Sequence, residues 1–343
     1  MFKRHLHVKK HGFKQYQGSE KEILNNIIKD CFNGKYFQTS TGHFSEFFTR
    51  DFGFSTESLL KLGYKEQVLS TLNYALNIFQ KHNKITVAIS PNQIPFDFPN
   101  YAVDSLPYLI HSLKLAKAND LIKKHKDFLN QQINIFYNLV INKDTNLVNK
   151  KHFSSMKDHA KRSSSCYDNC MVLMLKNDLN ELNLNNPFKI NKEQIIKTFW
   201  NGSFFNDTPN STYIASDANI IPFFTKVITN KKMLKSALNA IEPLTKPFPI
   251  KYTIKKTKMN FMRYLAPDYE QNTIWMHIGP LYVQLLKSIN KPKAQQHINT
   301  YKALIRKHKT FLELYTPDGQ PYKTALYTTD EGMLWSANLL TLL

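Results

Sequence analysis

Apolar residues recur three and four positions apart along nearly the whole chain, which is the period of a helix with one buried face. Val68, Leu69, Leu72, Leu76 and Phe79 trace one such stripe. The same pattern predicts helices over about 20–33, 103–117, 119–141, 165–178, 191–200, 217–228, 230–241, 272–289, 293–311 and 330–343. A short helix carries Leu59, Leu60 and Leu62; Ser55, Thr56 and Glu57 signal its start and Gly63 its stop. The total is about twelve helices. Polar breaks such as Lys117-Ala118-Asn119 and Asn290-Lys291-Pro292 are short enough to fold neighbours into hairpins. Strand patterning is thin, with Ile85 to Ile89 and Lys251 to Ile254 as candidates.

Between the helices lie irregular stretches at 34–54, 82–101, 142–163, 201–216, 243–271 and 312–329, rich in aromatic residues, Asp, Glu and His. Loops of this length in a compact domain are usually functional. Their alternation with the hairpins predicts an all-α ring of hairpins, its loops gathered on one face. A single domain over 1–343 is expected, with residues 1–18 as a basic N-terminal extension.

Composition narrows the chemistry. Hydrophobic residues make up 42% and aromatic residues 13%, enough for a large core. There are only 10 Gly, and neither G-x-G-x-x-G nor a G-K-[ST] phosphate loop occurs, which argues against the common nucleotide enzymes. Lys and Arg total 46 against 26 Asp and Glu, a net charge of +20. Such a surface suits polyanions, but the lysines are spread along the chain, so no specific nucleic-acid partner is expected. Cys31, Cys166 and Cys170 read as buried free thiols, without metal-site spacing. No apolar run reaches membrane-spanning length. A cytoplasmic protein with no metal or organic cofactor and no membrane partner is expected; its oligomeric state is open.

The segment T-S-T-G-H-F-S-E-F-F-T-R-D-F-G-F, 39–54, sets Arg50 beside Asp51 among Phe44, Phe47, Phe48, Phe52 and Phe54. A guanidinium donates and a carboxylate accepts, so the pair matches adjacent sugar hydroxyls while rings cover the apolar faces. Asp104 lies between Val103 and Leu106, where desolvation would keep a carboxyl protonated. Glu313 opens the polar loop E-L-Y-T-P-D-G, within reach of water. Helix capping and solvation are the plainer roles for these two residues.

The inter-helix segments, taken in order, resemble the motifs of inverting (α/α)6-barrel glycoside hydrolases, the glycogen-debranching amylo-1,6-glucosidase, glucoamylase and trehalase-like group. F-F-T-R-D-F-G-F resembles that family's aromatic-R-D segment, P-N-Y-A-V-D-S-L-P-Y-L-I (99–110) its D-x-x-x-aromatic segment, and S-S-M-K-D-H-A-K-R-S-S-S-C-Y-D-N-C (154–170) its W-x-D…R-x-G-S…Y-x-N segment. Y-I-A-S-D-A-N-I-I-P-F (213–223), T-I-W-M-H-I-G-P-L-Y (273–282) and L-E-L-Y-T-P-D-G-Q-P-Y (312–322) follow in the family's order. Met156 and Leu106-Pro107 stand where relatives often carry Trp.

The resemblance implies an (α/α)6 toroid that releases a terminal sugar, with glucose from an α-linked oligosaccharide expected first. Inversion needs one carboxyl to protonate the leaving oxygen and another to activate water. By resemblance these are Asp104 and Glu313, with Glu331 as the competing base. Arg50, Asp51, His43, Glu46, Asp158, Tyr167, Asp168, Asp217, Asn219, Trp275 and His277 are the expected sugar contacts. The rivals are a sugar epimerase or trehalase-type enzyme on the same barrel, or a non-catalytic basic helical scaffold that binds nucleic acid.

Overall fold

The computed structural model describes residues 2–255, 258, 264 and 266–343. The described helices are α1 (Phe2–His11), α2 (Glu20–Cys31), α3 (Thr49–Lys61), α4 (Lys65–Lys81), α5 (Ser105–Leu115), α6 (Asn119–Lys124), α7 (Lys126–Val140), α8 (Cys166–Leu182), α9 (Lys192–Phe199), α10 (Ser216–Phe224), α11 (Lys231–Ala240), α12 (Gly279–Lys287), α13 (Lys291–His308) and α14 (Ser336–Leu340).

Two helix types alternate, and their burial separates them. In α3, α5, α8 and α10 the N-terminal turns are buried all round: Thr49 to Thr56, Ser105 to Ile110, Cys166 to Leu175 and Ser216 to Phe223. Helices α4, α11 and α13 bury one stripe each, such as Ala294, Ile298, Tyr301 and Ile305. All-round burial marks an inner helix and a stripe an outer one.

The inner contacts run in a closed cycle: α3 packs on α5, α5 on α8, α8 on α10, α10 on α12, α12 on α14, and α14 back on α3. Outside it, α4 covers α3, α9 covers α8, α11 covers α10, α13 covers α12, and α2 packs on α14. At the α3–α5 crossing, a Cβ on Gly53 would lie 2.5 Å from Tyr108 Cβ, so only glycine permits that approach.

The inner helices also bury polar groups in their first turns, including Arg50, Asp51, Asp168, Asn169, Asp217 and Asn219. Short antiparallel ladders tie down the loops at this end. β1 (Phe47–Phe48) pairs with β2 (Ala88–Ile89), β2 with β3 (Pro95–Phe96), and β4 (Ile274–Trp275) with β5 (Leu314–Tyr315).

Several boundaries differ from the periodicity. Helix α3 begins at Thr49 rather than Ser55, which places Arg50 and Asp51 in its first turn. The helix expected over 119–141 breaks at His125, whose ring bonds Gln80. Residues 272–278 are not helical because β4 is drawn into pairing with β5. In the C-terminal stretch only α14 is helical, since Glu313 N–H donates to Asp330 O at 2.9 Å and holds that strand extended. Of the expected strands, Ile85 to Ile89 shrinks to β2, and Lys251 makes one bridge to Ile274. The basic N-terminus forms α1, which buries Val8, sets His5 Nδ1 2.8 Å from Thr328 Oγ1 and pairs Arg4 with Glu331.

Among the described residues no helix is long and apolar enough to cross a membrane, and no group of three or more His, Cys, Asp or Glu is placed to hold a metal ion. Cys31, Cys166 and Cys170 are buried and free.

Candidate active site

Arg50 is the hinge of the site. The residue is 8% exposed, and its guanidinium has a carboxylate on each side. On the inner side, Nε donates to Asp104 Oδ2 at 2.6 Å and Nη2 to Oδ1 at 3.3 Å. On the outer side, Nη1 and Nη2 donate to Asp158 Oδ2 and Oδ1 at 3.0 and 2.9 Å. A planar fork suits such two-sided binding. Tyr167 adds a hydroxyl donor to Asp104 Oδ2 at 2.8 Å.

A cavity of about 180 Å³ opens above this layer, at the N-terminal ends of the inner helices. Four carboxyl groups line it, those of Asp51, Asp158, Glu270 and Glu313, beside Arg50. The remaining lining is mainly aromatic and sulfur-bearing, including Phe54, Met156, Tyr252, Trp275, Met333 and Trp335. Rings of this kind suit the C–H faces of a sugar, with a few polar groups to orient it.

Each carboxyl has a distinct setting. Glu313 accepts from Tyr269 Oη at Oε1 (2.9 Å), and at Oε2 from Tyr327 Oη and Asp330 N–H (3.0 Å). Burial raises its pKa, opposed by His43, the Tyr327 hydroxyl and the Asp330 N–H. Asp51 accepts from Trp335 Nε1 at 2.8 Å; burial, only partly offset by Arg50, pushes it up to about 7. Glu270 Oε2 accepts from the His159 and Ala160 N–H groups at 2.8 and 2.9 Å. Burial first, then the charge of Asp158, drives Glu270 up to about 8. The Asp158 side chain keeps 25% of its surface exposed.

His277 lines the cavity as a neutral ring. Burial and then Arg50 lower its pKa to about 3. Nε2 lies 2.8 Å from Tyr252 Oη, which reaches Met156 O at 2.9 Å, while Nδ1 has no hydrogen-bond partner. Trp275 also lines the cavity, its Nε1 fixed on Tyr269 O at 2.6 Å.

Thus Arg50, Asp51, Asp158, Trp275, His277 and Glu313 come together, and seven other expected residues do not line the cavity. Asp104, the expected general acid, is fully buried behind Arg50 with both oxygens occupied, so a sugar could reach it only by displacing the guanidinium. Tyr167 shares that layer. His43 is screened by Tyr327, whose ring centroid is 5.6 Å away, and its Nδ1 lies 3.2 Å from Asp330. Glu46 is outside the lining, as is the competing base Glu331, which pairs with Arg4 and accepts from Lys14 N–H at 3.0 Å.

Asp168 is a buried carboxyl in the first turn of α8 whose N–H donates to Ser165 Oγ at 3.1 Å; burial, opposed by Arg162, pushes it up to about 6. Asp217 is consumed by Lys157 and Arg162 at 3.3 and 2.7 Å. The Asn219 amide is spent on Phe205 and Ala215 backbone groups.

Sequence reasoning missed Glu270, Tyr252, Tyr269, Phe98, Tyr327 and Trp335. The available signal was the aromatic and acidic character of the irregular stretches 82–101, 243–271 and 312–329, which hold all of them except Trp335. A second cavity of about 300 Å³, lined by Glu57, His111, Lys114, Asp178 and Glu181 among others, lies toward the C-terminal ends of α3, α5, α8 and α10. Its acids are engaged: Asp178 accepts from Lys114 at 2.6 Å and sits 2.7 Å from His111. Phe54 borders both cavities.

No family model and no curated protein matches the chain. Solved structures do. A rhamnosidase from Klebsiella oxytoca with rhamnose bound superposes with TM-score 0.64 at 10% identity, over 95% of this chain. This chain spans 64% of that protein's length. A glycosidase variant in complex with glucose gives TM-score 0.64 at 8% identity, covering 95% of this chain and 97% of that one. A GH63 mannosylglycerate hydrolase from Thermus thermophilus in complex with Tris gives 0.60 at 12% identity, covering 93% and 98%. The chain therefore shares the fold of these glycosidases.

Proposed function

We propose that the protein is an (α/α)6-toroid glycoside hydrolase that removes a terminal sugar by inverting single displacement. The observation that carries this reading is the meeting of Glu313, Asp158 and Glu270 in one aromatic cavity, on a fold shared with glycosidases. The floor is closed by Arg50, Phe54 and His277, so the cavity suits a chain end rather than the middle of a polymer.

Glu313 is the base. It takes a proton from water, and the water oxygen bonds to the anomeric carbon as the bond to the leaving oxygen breaks. The leaving oxygen takes its proton from the Asp158–Glu270 pair. Glu270 holds that proton at neutral pH, because burial and then the charge of Asp158 raise it to about 8. Asp158 delivers it, as the more exposed of the two. Asp51 and the free Nδ1 of His277 hold sugar hydroxyls. The first substrate class to test is α-linked glucosides, with rhamnosides and mannosides next.

The epimerase alternative needs a histidine that cycles protons. Two histidines line the cavity, His159 and His277, and His277 is held neutral by burial; the four carboxyl groups that meet there favour the carboxyl mechanism. The deciding experiment offers α- and β-linked glucosides, trehalose, glycogen-derived dextrins, rhamnosides and mannosides, and follows released sugar by proton NMR. Release of a monosaccharide with inverted configuration is expected. Rearranged sugar with every glycosidic bond intact would reject hydrolysis.

A further inference from the structure

Burial of the cavity lining is graded from floor to mouth. Arg50, Asp51, Phe54 and His277 are buried; Phe44, Phe48 and Asp158 are half-buried; Phe98 is 49% exposed, the most exposed residue of the described lining. A lone exposed phenylalanine is ordinary on a protein surface. This one is different in its setting. It lines the same cavity as the partly buried Phe44 and Phe48, whose rings meet edge-to-face at 5.9 Å. Its ring also stands edge-on to His159 at 5.7 Å, the residue after Asp158.

The backbone beneath Phe98 is fixed. Asp97 Oδ1 accepts from Val87 N–H at 2.9 Å, and Asn100 N–H donates to Ser154 Oγ at 2.9 Å. The ring is therefore held outward on a braced loop, where little ordering remains to be done on binding.

We propose that Phe98, with Phe44 and Phe48, forms a leaving-group subsite for a flat apolar ring face, either a second sugar or an aryl aglycone. This rests on the glycosidase reading: the group that leaves must lie beside the acid that protonates it, and Asp158 is the half-exposed carboxyl at this rim. The floor takes the sugar that is released, and the rim takes what it is released from.

The test compares three substrates bearing the sugar that the wild-type enzyme releases: a glycosyl fluoride, a 4-nitrophenyl glycoside and a disaccharide. For Phe98→Ala we expect kcat/KM to fall about tenfold more on one or both ring-bearing substrates than on the fluoride, the loss of one ring contact. Phe98→Trp should restore most of it. The larger loss identifies the natural ring, sugar or aryl. Equal losses on all three substrates, or none, would overturn the subsite while leaving the glycosidase reading in place. If the wild-type protein cleaves no glycoside at all, both fall. Circular dichroism confirms folding of the variants, a mild requirement for so exposed a side chain.

Discussion

At the scale of single residues, the site is organised by who occupies Arg50. Asp104 and Asp158 are chemically alike, yet one is sealed behind the guanidinium and the other faces the cavity. This separates two outcomes. Asp158→Asn and Glu313→Gln should each lower kcat by about 10²–10⁴ with folding intact, as removal of a general acid or base does. Asp104→Asn should instead lower stability, by about 3 kcal/mol in denaturant unfolding, because it weakens the support of a buried cation.

Asp51 offers a prediction of opposite sign for stability and activity. Its carboxyl is raised to about 7 in the fold from 3.8, so the folded state binds the proton more tightly than the unfolded chain. The stability it contributes is complete below pH 3.8 and is lost as pH rises through 7. Asp51→Asn should therefore melt higher than wild type at pH 8, by about 2 °C or more, with the gap closing towards pH 4. Substrate binding should weaken at the same time. A melting difference independent of pH would rule out the buried charge as its cause.

The Arg50-Asp51 pair was legible in the sequence because a fork and a carboxylate stood alone among phenylalanines. The burial of Asp104 was legible too, from its apolar flanks. Its use was not. Nothing along the chain shows that Arg50, 54 positions away, turns inward to cover it.

At the scale of elements, the loop between α7 and α8 has to present Asp158, and its flanks show how it is held. Lys157 and Arg162 bracket that residue and are both buried. Lys157 reaches Asp207 at 3.1 Å and Asp217 at 3.3 Å; Arg162 reaches the same two at 3.0 and 2.7 Å, and Ser155 Oγ at 2.8 Å. Tyr213 completes the cluster on Asp207 at 2.6 Å. Two cations and two anions thus staple the loop to the start of α10. Breaking a buried network by removing one partner costs about 3–5 kcal/mol. Arg162→Met should lower stability by that order and cut kcat sharply with a smaller change in KM, since Asp158 loses its placement while the sugar floor stays. Arg162→Lys should recover part of kcat. An effect confined to KM would place Arg162 in substrate binding instead.

The helices themselves were readable, because a 3.6-residue stripe is a local signal. Their edges were misread where a partner far along the chain decides. β4 takes residues 274–275 from the expected helix only because residues 314–315 lie beside them. Asp217 and Asn219 looked like sugar ligands for the same reason: their partners are invisible locally.

At the scale of the whole molecule, charge and chemistry part company. The chain carries +20, yet the cavity presents four carboxyl groups and one guanidinium. Its basic surface therefore does not extend into the site, and the pH dependence of turnover should follow the cavity's own acids. Turnover by this mechanism requires Glu313 ionised and Glu270 still protonated. As pH rises through about 8 Glu270 loses its proton, because burial and then the charge of Asp158 raise it to that value. The rate should fall along that limb for a substrate whose leaving group needs a proton. A glycosyl fluoride, whose leaving group departs with much less help, should show a weaker alkaline limb or none. Glu270→Gln removes the group that holds the proton and should abolish the limb seen with the disaccharide. Rate profiles for wild type and Glu270→Gln on both substrates decide the point. The same alkaline limb on both substrates and in both proteins would mean that some other group titrates there, and the proton donor would have to be sought elsewhere in the cavity.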